Sequence, residues 1–427
     1  MNKSLYIVAF SLAFATTGIA QNNEGQDKTV DLGTQTTTEL RKTQAVSTIY
    51  SDELDKNATT SPYNAIYGLL PGLTVMQNTS WGTDKSRLNV RGRGSLNGDT
   101  PLFVVDGFAR PIEYINLSEI ESISVLKDGA ATALWGGRGA NGVVLITTKR
   151  GMYSKKEIKV DYKFGLGLPV NQPEFADAYT YAKARNEALR YDGLQPDMDE
   201  ASFLAGGNRD LYPNVDWQKE ALRNHTTSHQ LDITFRGGGK RLRYFSVLNY
   251  KNDMGLLNSK YTDYTDRYNS QMKKYFLNLR MNLDVDITDA TKLKLNMLGM
   301  LRETKRPTTS EATLFEQIFN TPSAAFPVQT QNGLWGSNNV LKTNPIANLA
   351  DVGYYKLNQR MLQADLRLIQ DLSVLTRGLS AELAIAYDNN ATYQETAKKS
   401  FMYQTIEKGT DGEPVYTNYG NPNDELE

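Results

Sequence analysis

Residues 276–288 read FLNLRMNLDVDIT, and this stretch decides the fold. Strict alternation of apolar and polar residues puts one set on each face of a β-strand. A strand of a soluble β-sandwich keeps such alternation for about four to eight residues, whereas a strand that crosses a membrane needs about ten. The stretch therefore favours a transmembrane strand, whose lipid face holds Leu277, Leu279, Met281, Leu283, Val285 and Ile287.

Similar alternating runs lie on both sides of this stretch, at 158–168, 231–235, 242–250, 293–297, 362–368 and 379–387. Long connections alternate with short ones, and the long ones lie near 169–227, 254–271 and 304–358. In an outer-membrane barrel, short turns face the periplasm and long loops face outside. The pattern predicts an all-β chain dominated by the first strands, about seven, of a large antiparallel transmembrane barrel. A soluble secreted β-protein that binds glycans is the alternative.

The first 20 residues have the features of a cleaved secretory signal peptide. Lys3 supplies a positive charge, residues 5–15 are apolar except for Ser11, and residues 18–20 are small or apolar before the cleavage point. The apolar run is too short to cross a bilayer as a helix. We therefore expect an exported protein, located in the periplasm, in the outer membrane or outside the cell.

The composition excludes several classes of site. Because the chain has no cysteine, it can form no disulfide, cysteine nucleophile or zinc–thiolate site. A net charge of −1 argues against a nucleic-acid partner. The 24 tyrosines suit a barrel, since aromatic residues form girdles at both membrane interfaces. A mean hydropathy of −0.50 agrees with apolar residues that are spread along the chain rather than clustered.

Residues 137–142 read GRGANG, which matches the G-x-G-x-x-G pattern of dinucleotide-binding proteins. That motif needs a strand before the glycines and a helix after them, because the pyrophosphate rests on the helix N-terminus. Here the order is reversed, since residues 128–134 are small and helix-prone and residues 143–148 are β-branched. The stretch is better interpreted as a glycine-rich turn that leads into a strand, and no cofactor is expected.

Polar residues elsewhere form no convincing catalytic or metal site. His225 and His229 are the only histidines, and on a strand their spacing separates them by about 13 Å. Asp197, Asp199 and Glu200 lack the spacing of a calcium-binding EF-hand loop. We therefore expect neither an enzyme nor a metal site. Residues 175–191 are expected to form a short amphipathic helix inside the first long loop.

Two further segments carry a family resemblance. Residues 88–107 read LNVRGRGSLNGDTPLFVVDG and residues 119–151 read EIESISVLKDGAATALWGGRGANGVVLITTKRG. In content, order and spacing, both resemble the plug domain of TonB-dependent outer-membrane transporters, and specifically the SusC/RagA family. The matching motif residues are Arg91, Gly92, Ser95, Asp106, Gly107, Glu121, Lys127, Asp128, Gly136, Arg138, Gly139, Asn141 and Gly142.

The resemblance implies a domain plan. It implies a plug at 45–152, called the plug below, followed at 153–427 by the first strands of a barrel, called the wall. Residues 21–44 are expected to be mobile and to hold a TonB box at Lys28, Thr29, Val30, Asp31 and Leu32. Within the plug, Asp106-Gly107 suits a type I′ turn. We expect ion pairs within the plug or to the wall among Arg91, Arg93, Arg138, Glu119 and Glu121.

The same resemblance implies a function. It implies import of a bulky nutrient, an oligosaccharide or a peptide, through a protein embedded in outer-membrane lipid. TonB would supply energy, and a SusD-like surface lipoprotein would capture substrate. A siderophore receptor is the runner-up within the transporter class. The residues that contact substrate cannot be identified from the sequence.

Two features depart from the family pattern. Many members carry an additional β-domain before the plug, and residues 21–44 leave no room for it. About seven strands precede the last residue, whereas such transporters close at about 22. An open arc would expose an unpaired strand edge to lipid. The sequence is therefore interpreted as a fragment or as one piece of a split transporter.

Overall fold

The computed structural model describes residues 10–13, 29–33, 36–38, 41–54, 56, 59, 61–77, 86–94, 98–153, 156–170, 172–264 and 267–421. Apart from residues 10–13, the predicted signal peptide lies outside these ranges. Lys28 and Ser95 also lie outside them.

The N-terminal part consists of short strands and helices. In chain order they are β1 (Phe10–Ala13), β2 (Thr29–Asp31), β3 (Thr36–Thr38), β4 (Val46–Tyr50), α1 (Ser51–Leu54), α2 (Pro62–Ala65), β5 (Leu73–Met76), β6 (Arg87–Val90), β7 (Leu102–Val105), β8 (Phe108–Ala109), β9 (Ile120–Leu126), α3 (Gly129–Thr132) and β10 (Val143–Thr148). Short 3-10 helices cover Ile112–Tyr114, Leu117–Glu119 and Ala133–Gly139.

A five-stranded sheet in the order β4-β9-β10-β7-β8 forms the centre of the plug. Strands β10 and β7 are parallel, and the other neighbours are antiparallel. Val144 and Ile146 pack into the core on one face of the sheet, while Val143 and Leu145 pack into a second core on the other face. Burial on both faces explains why this strand is a continuous apolar run rather than an alternating one.

The second part consists of long strands joined by structured loops. Its elements are β11 (Glu157–Gly167), α4 (Ala178–Tyr191), α5 (Glu200–Ala205), α6 (Trp217–Ala221), β12 (Thr226–Gly238), β13 (Leu242–Met254), α7 (Ser259–Thr262), β14 (Lys273–Asp286), β15 (Thr291–Pro307), α8 (Glu311–Asn320), β16 (Trp335–Ser337), α9 (Pro345–Ala350), β17 (Gly353–Asp371), β18 (Ser380–Lys398), β19 (Tyr403–Lys408) and β20 (Pro414–Tyr419). None of the helices in the described ranges is long and apolar enough to cross a membrane.

The long strands form one antiparallel sheet together with the four-residue β1, in the order β1-β11-β12-β13-β14-β15-β17-β18. Without β1, seven strands follow one another in chain order, as the alternating runs predict. Strand β1 comes from the predicted signal peptide and pairs with the outer edge of β11. The fold class is therefore confirmed: a small α+β plug is followed by part of a large antiparallel barrel.

The two faces of β14 have opposite surroundings. Leu277 and Leu279 are 40% and 45% exposed, whereas Asn278 and Asn282 are fully buried against the plug. The apolar face therefore points outward and the polar face points inward, as the sequence predicts. The pairing of β13, β14, β15 and β17 places their outward side chains next to one another, and their inward side chains likewise.

The long connections pack into a layer at one end of the wall. Trp217, Tyr261, Leu314 and Ile346 come from three different loops and share one hydrophobic core. The third long loop covers 308–352, which is shorter than the predicted 304–358 because β15 and β17 extend beyond their apolar runs. The predicted helix in the first loop is confirmed as α4.

Candidate functional site

The glycine-rich turn before β10 is built by conformations that only glycine adopts easily. Gly136 has φ 53° and ψ −144°, and Gly142 has φ 89°. A Cβ added at Gly142 would lie 2.8 Å from the Cβ of Val90, so no side chain fits there. A helix precedes the turn and a strand follows it, which confirms the predicted order and excludes the dinucleotide-binding arrangement.

Asp106 and Gly107 form the two-residue turn between β7 and β8. Their φ angles are 48° and 93°, as a type I′ turn requires. The Asp106 carboxylate also accepts hydrogen bonds from the backbone N–H of Thr148 (3.0 Å) and from its hydroxyl (2.7 Å). A guanidinium N–H of Arg367, on the wall, donates to the Asp106 carbonyl at 3.1 Å. This motif therefore joins the last plug strand, the turn and the wall.

Lys127 and Asp128 hold the start of the plug in place. The Asp128 carboxylate accepts hydrogen bonds from the N–H groups of Ala131 (2.7 Å) and Ala45 (2.6 Å), and these bonds lower the pKa of Asp128. The Lys127 ammonium donates to Ser47 Oγ at 2.6 Å. Burial, together with the nearby Arg91 and Lys42 charges, lowers the pKa of Lys127. Both motif residues thus have a structural role here.

A buried ion pair joins the plug to the middle of the wall. Arg280 on β14 donates from Nε to Glu119 Oε2 at 2.5 Å, and the two side chains are 2% and 0% exposed. The other carboxylate oxygen, Oε1, accepts from Asn278 Nδ2 at 2.5 Å and from the Asn116 backbone N–H at 3.2 Å. Glu119 is therefore held by the wall and by its own 3-10 helix.

Arg110 makes a second ionic contact between the plug and the wall. Its guanidinium donates to Asp365 on β17 at 2.5 Å and to Asp388 on β18 at 2.8 Å. Burial acts to lower the pKa of Arg110, but hydrogen bonds with Asp388 and Asp365 outweigh it and raise the pKa. The Arg110 side chain is 3% exposed, so both carboxylates bind a desolvated cation.

Neutral polar contacts between plug and wall lie beside the Glu119–Arg280 pair, on β13 and β14. Asn249 Nδ2 donates to Ser118 Oγ at 2.8 Å, and Asn282 Nδ2 donates to Thr148 Oγ1 at 2.8 Å. Apolar contact is local, where Tyr114 packs against Phe276, Leu298, Met300 and Met361. A hydrogen bond contributes only about 1 kcal/mol net, because water can replace either partner. An interface of this kind can be separated without exposing a large apolar area.

The predicted ion pairs form only in part. Glu119 pairs with the wall as expected, and Glu121 lies 3.9 Å from Arg236 of the wall. Arg93 instead contacts Asp99, which is also bound by Arg87 at 2.7 Å. The structure brings Arg91 and Arg138 to neither glutamate. Arg91 has φ 59°, and its N–H donates to the Gly72 carbonyl at 2.8 Å.

The remaining motif residues shape the plug. Gly92 has φ 84°, which continues the turn that follows β6. Asn141 Nδ2 donates to the Gly98 carbonyl at 3.2 Å and so joins the glycine-rich turn to the preceding loop. Gly139 lies tightly against Thr132, since an added Cβ would be 3.1 Å from the Thr132 carbonyl oxygen. Arg138 is exposed at the surface of the described chain.

Part of the segment expected to be mobile packs on the plug in the structure, and its mobility stays a prediction. Thr29–Asp31 forms β2, which pairs with β3. Val30 is fully buried and Leu32 nearly so, in the core shared with Val46 and Trp135 of the plug. The apolar side chains of this alternating run therefore already have a packing partner within the chain. The candidate TonB box stays a prediction.

Polar groups in the first long loop and on the two wall strands beside it contact neighbouring side chains. Asp197 binds Arg185 through both oxygens, and Asp199 caps α5. Glu200 accepts from Asn186 at 2.9 Å. The Tyr162 hydroxyl lies 2.7 Å from Nδ1 of His229. Within the residues that the structure describes, no three side chains of His, Asp or Glu are grouped as a metal would require.

Sequence reasoning missed Arg110, Asp365 and Asp388. A signal was present, because the inward face of the run at 362–368 carries the charged residues Asp365 and Arg367 beside Gln363. A charge there needs a partner across the lumen, but the run does not show which plug residue supplies it.

A family model of the TonB-dependent receptor plug domain matches residues 38–143. The chain is also similar to a TonB-dependent receptor of Formosa agariphila, with 28% identity over 281 residues, which are 64% of this chain and 26% of that protein. The TonB-dependent receptor SusC of Bacteroides thetaiotaomicron is 30% identical over 255 residues, which are 56% of this chain and 24% of SusC.

Among solved structures, the RagAB peptide importer in its closed-closed state superimposes with a TM-score of 0.67 at 19% identity. The match covers 83% of this chain and 42% of the matched chain. At 19% sequence identity, this similarity shows a shared fold. The chain spans about a quarter of the length of the Formosa agariphila receptor and of SusC.

Proposed function

Because the chain is SusC/RagA-like in its plug and in the first strands of its wall, we propose that the whole protein is a TonB-dependent importer of a bulky nutrient in the outer membrane. The observation that supports this most is the polar contact surface between plug and wall. Glu119–Arg280 and Arg110–Asp365 hold the plug in one position. Hydrogen bonds to water can replace the neutral contacts when the plug is displaced.

The proposed cargo is an oligosaccharide, with a peptide as the alternative. Similarity to SusC supports a SusC-type system, and the fold is shared with a peptide importer. A SusD-like surface lipoprotein is the proposed partner, and it would bind above the loop layer. The large loop core supports this placement, since it presents a fixed surface at the end of the wall that carries the long loops.

Energy input is proposed to enter through the TonB-box candidate at Lys28, Thr29, Val30, Asp31 and Leu32. TonB would bind this segment by strand addition, in which main-chain hydrogen bonds provide the affinity. Strand β2 now uses those bonds with β3, and Val30 is buried. The segment must therefore leave the plug before TonB can pair with it. A proline at Val30 would disturb plug packing as well as TonB pairing, so uptake in that variant would not separate the two effects.

Uptake in cells tests the proposal. The full-length receptor is produced with its genomic neighbours, and labelled oligosaccharides, peptides and a ferric siderophore are supplied in parallel. We expect accumulation of an oligosaccharide or peptide that stops when TonB is deleted, while surface binding persists. Accumulation of the siderophore alone would favour the runner-up function. Accumulation that is unchanged without TonB would contradict the proposal.

A further inference from the structure

Three lysines lie side by side across adjacent strands of the wall. The register pairs Lys273 on β14 with Lys305 on β15, and Lys305 with Lys356 on β17. Residues directly opposite each other on neighbouring strands have Cβ atoms about 5 Å apart, and like charges there are destabilising. A row of three cations therefore needs an anion to offset the repulsion.

The row lies on the outer surface of the wall. On each strand, the lysine is an even number of residues from an exposed leucine and therefore points to the same side of the sheet. The pairs are Lys273 with Leu277, Lys305 with Leu301, and Lys356 with Leu362. The opposite face at this height is buried against Tyr114 of the plug through Phe276, Met300 and Met361. The lysines therefore point away from the lumen.

The height of the row along the wall is set by the apolar residues below it. On β15 the outward positions from Leu293 to Leu301 are apolar or glycine, and Glu303 and Lys305 follow. At about 3.4 Å per residue this apolar section measures about 27 Å along the strand, or about 20 Å across the membrane at the usual tilt. The apolar band of outer-membrane barrels is about 25 Å tall. Lys305 therefore lies where the headgroups of the outer leaflet begin, next to the long loops.

The cations near the row outnumber the anions. Glu303 lies between two of the lysines, 3.4 Å from Lys305 and 3.3 Å from Lys356. Glu395 lies opposite Lys356 and accepts a hydrogen bond from Tyr354. In the described part of the chain, Lys273 makes no ion pair.

Arg360 adds a fourth cation, two outward positions along β17 from Lys356 and closer to the middle of the apolar section. It lies opposite Leu301, is exposed, and places its guanidinium 5.5 Å from the ring centre of Tyr393. It makes no ion pair within the residues that the structure describes. Among the residues that the structure describes, Glu303 and Glu395 are the acidic side chains on this face beside Arg360 and the three lysines, so net positive charge is left there.

We propose that Lys273, Lys305, Lys356 and Arg360 bind the phosphate groups of an anionic glycolipid in the outer leaflet. Lysine ammonium groups bind phosphate as point charges, and arginine can bind it through two N–H groups. Strands are about 4.8 Å apart, so the row is about 10 Å wide and can contact more than one phosphate of a headgroup. This inference rests on the outer-membrane location in the proposed function.

Lipid binding by the full-length receptor, purified in detergent from outer membranes, tests the inference. The variant is Lys273→Gln/Lys305→Gln/Lys356→Gln. The matched control is Lys183→Gln/Lys219→Gln/Lys342→Gln, which removes the same charge from exposed lysines of the loops. Each cation near a charged membrane surface strengthens binding about fivefold. We expect the variant to bind added phosphorylated lipid A about a hundredfold more weakly, and the control to bind like the wild type.

Three readouts separate the outcomes. Equal lipid A binding by variant and control would overturn the inference, provided that both migrate as folded barrels in unheated gels. Displacement of lipid A by inorganic phosphate at the same phosphate concentration would also overturn it, by showing a plain anion site. Loss of an acidic protein partner in the variant, with lipid binding intact, would assign the row to protein docking instead. Absence of the wild-type receptor from outer-membrane fractions would count against the proposed function, independently of these results.

Discussion

Glu119 and Arg280 show how single side chains fix the plug in the wall. Both are removed from solvent, and within the described residues each is the other's charged partner at hydrogen-bond distance. A buried ion pair adds little stability compared with apolar residues of the same size, but removing one member leaves an uncompensated buried charge. The pair therefore specifies the position of the plug more than it stabilises the chain.

The variant Glu119→Gln tests this role. It leaves Arg280 buried without a counter-charge, and we expect it to lower the free energy of unfolding by about 3–5 kcal/mol. Thermal unfolding of the full-length receptor in detergent measures the change. The exposed pair of Asp197 and Arg185 gives a matched control, since Asp197→Asn should cost no more than about 1 kcal/mol. Equal effects of the two substitutions would show that Glu119 is not the buried anchor.

Gly142 carries a second prediction about one residue. Its φ of 89° alone makes alanine unfavourable by about 1–2 kcal/mol, and the added methyl group would collide with Val90. Gly142→Ala should therefore destabilise the plug, as followed by protease sensitivity in the folded receptor. Gly137→Ala is the control, because a Cβ at Gly137 would meet open space. Resistance of the Gly142→Ala receptor equal to that of the control would refute the prediction.

The alternation along β14 determines which side chains meet lipid and which meet the plug. Its strict period made the strand and its two faces predictable from sequence, because a slip of one residue would put every leucine inside. Strand ends were less predictable, since β15 continues to Pro307 through charged residues with no apolar pattern. The parallel pairing of β16 with β19 joins two distant loops, and no local signal indicates it.

Single cysteines on β14 test the faces directly, in a chain that has no native cysteine. Cysteines at Leu279 and Leu283 of the full-length protein in membranes should resist a water-soluble maleimide, because these positions face lipid. Cysteines at Asn278 and Asn282 should be protected by the plug and should react in urea that loosens it. Labelling of the leucine positions but not of the asparagine positions would reverse the strand assignment.

In the whole molecule, the plug packs against the inward face of the wall, which is one arc of a barrel. The seven strands of the wall and the motifs of the plug could be predicted from the sequence. It did not give the burial of Val30, because an alternating stretch of five residues suits docking on TonB and packing on the plug equally well. Nor did it give the contact of Arg110 with two wall strands, which depends on a chain separation of more than 250 residues.

The proposed import would require the plug to leave its contacts with the wall, and a reversible cross-link tests this most directly. Ser118 on the plug and Asn249 on β13 are in contact at 2.8 Å, beside a polar cavity of about 420 Å³ that admits a small reagent. The double variant Ser118→Cys/Asn249→Cys in the full-length receptor is treated with a reducible bifunctional thiol reagent, and each single variant serves as control. We predict that nutrient uptake stops in the cross-linked double variant and returns after reduction. Normal uptake while the cross-link is quantitatively in place would contradict the mechanism.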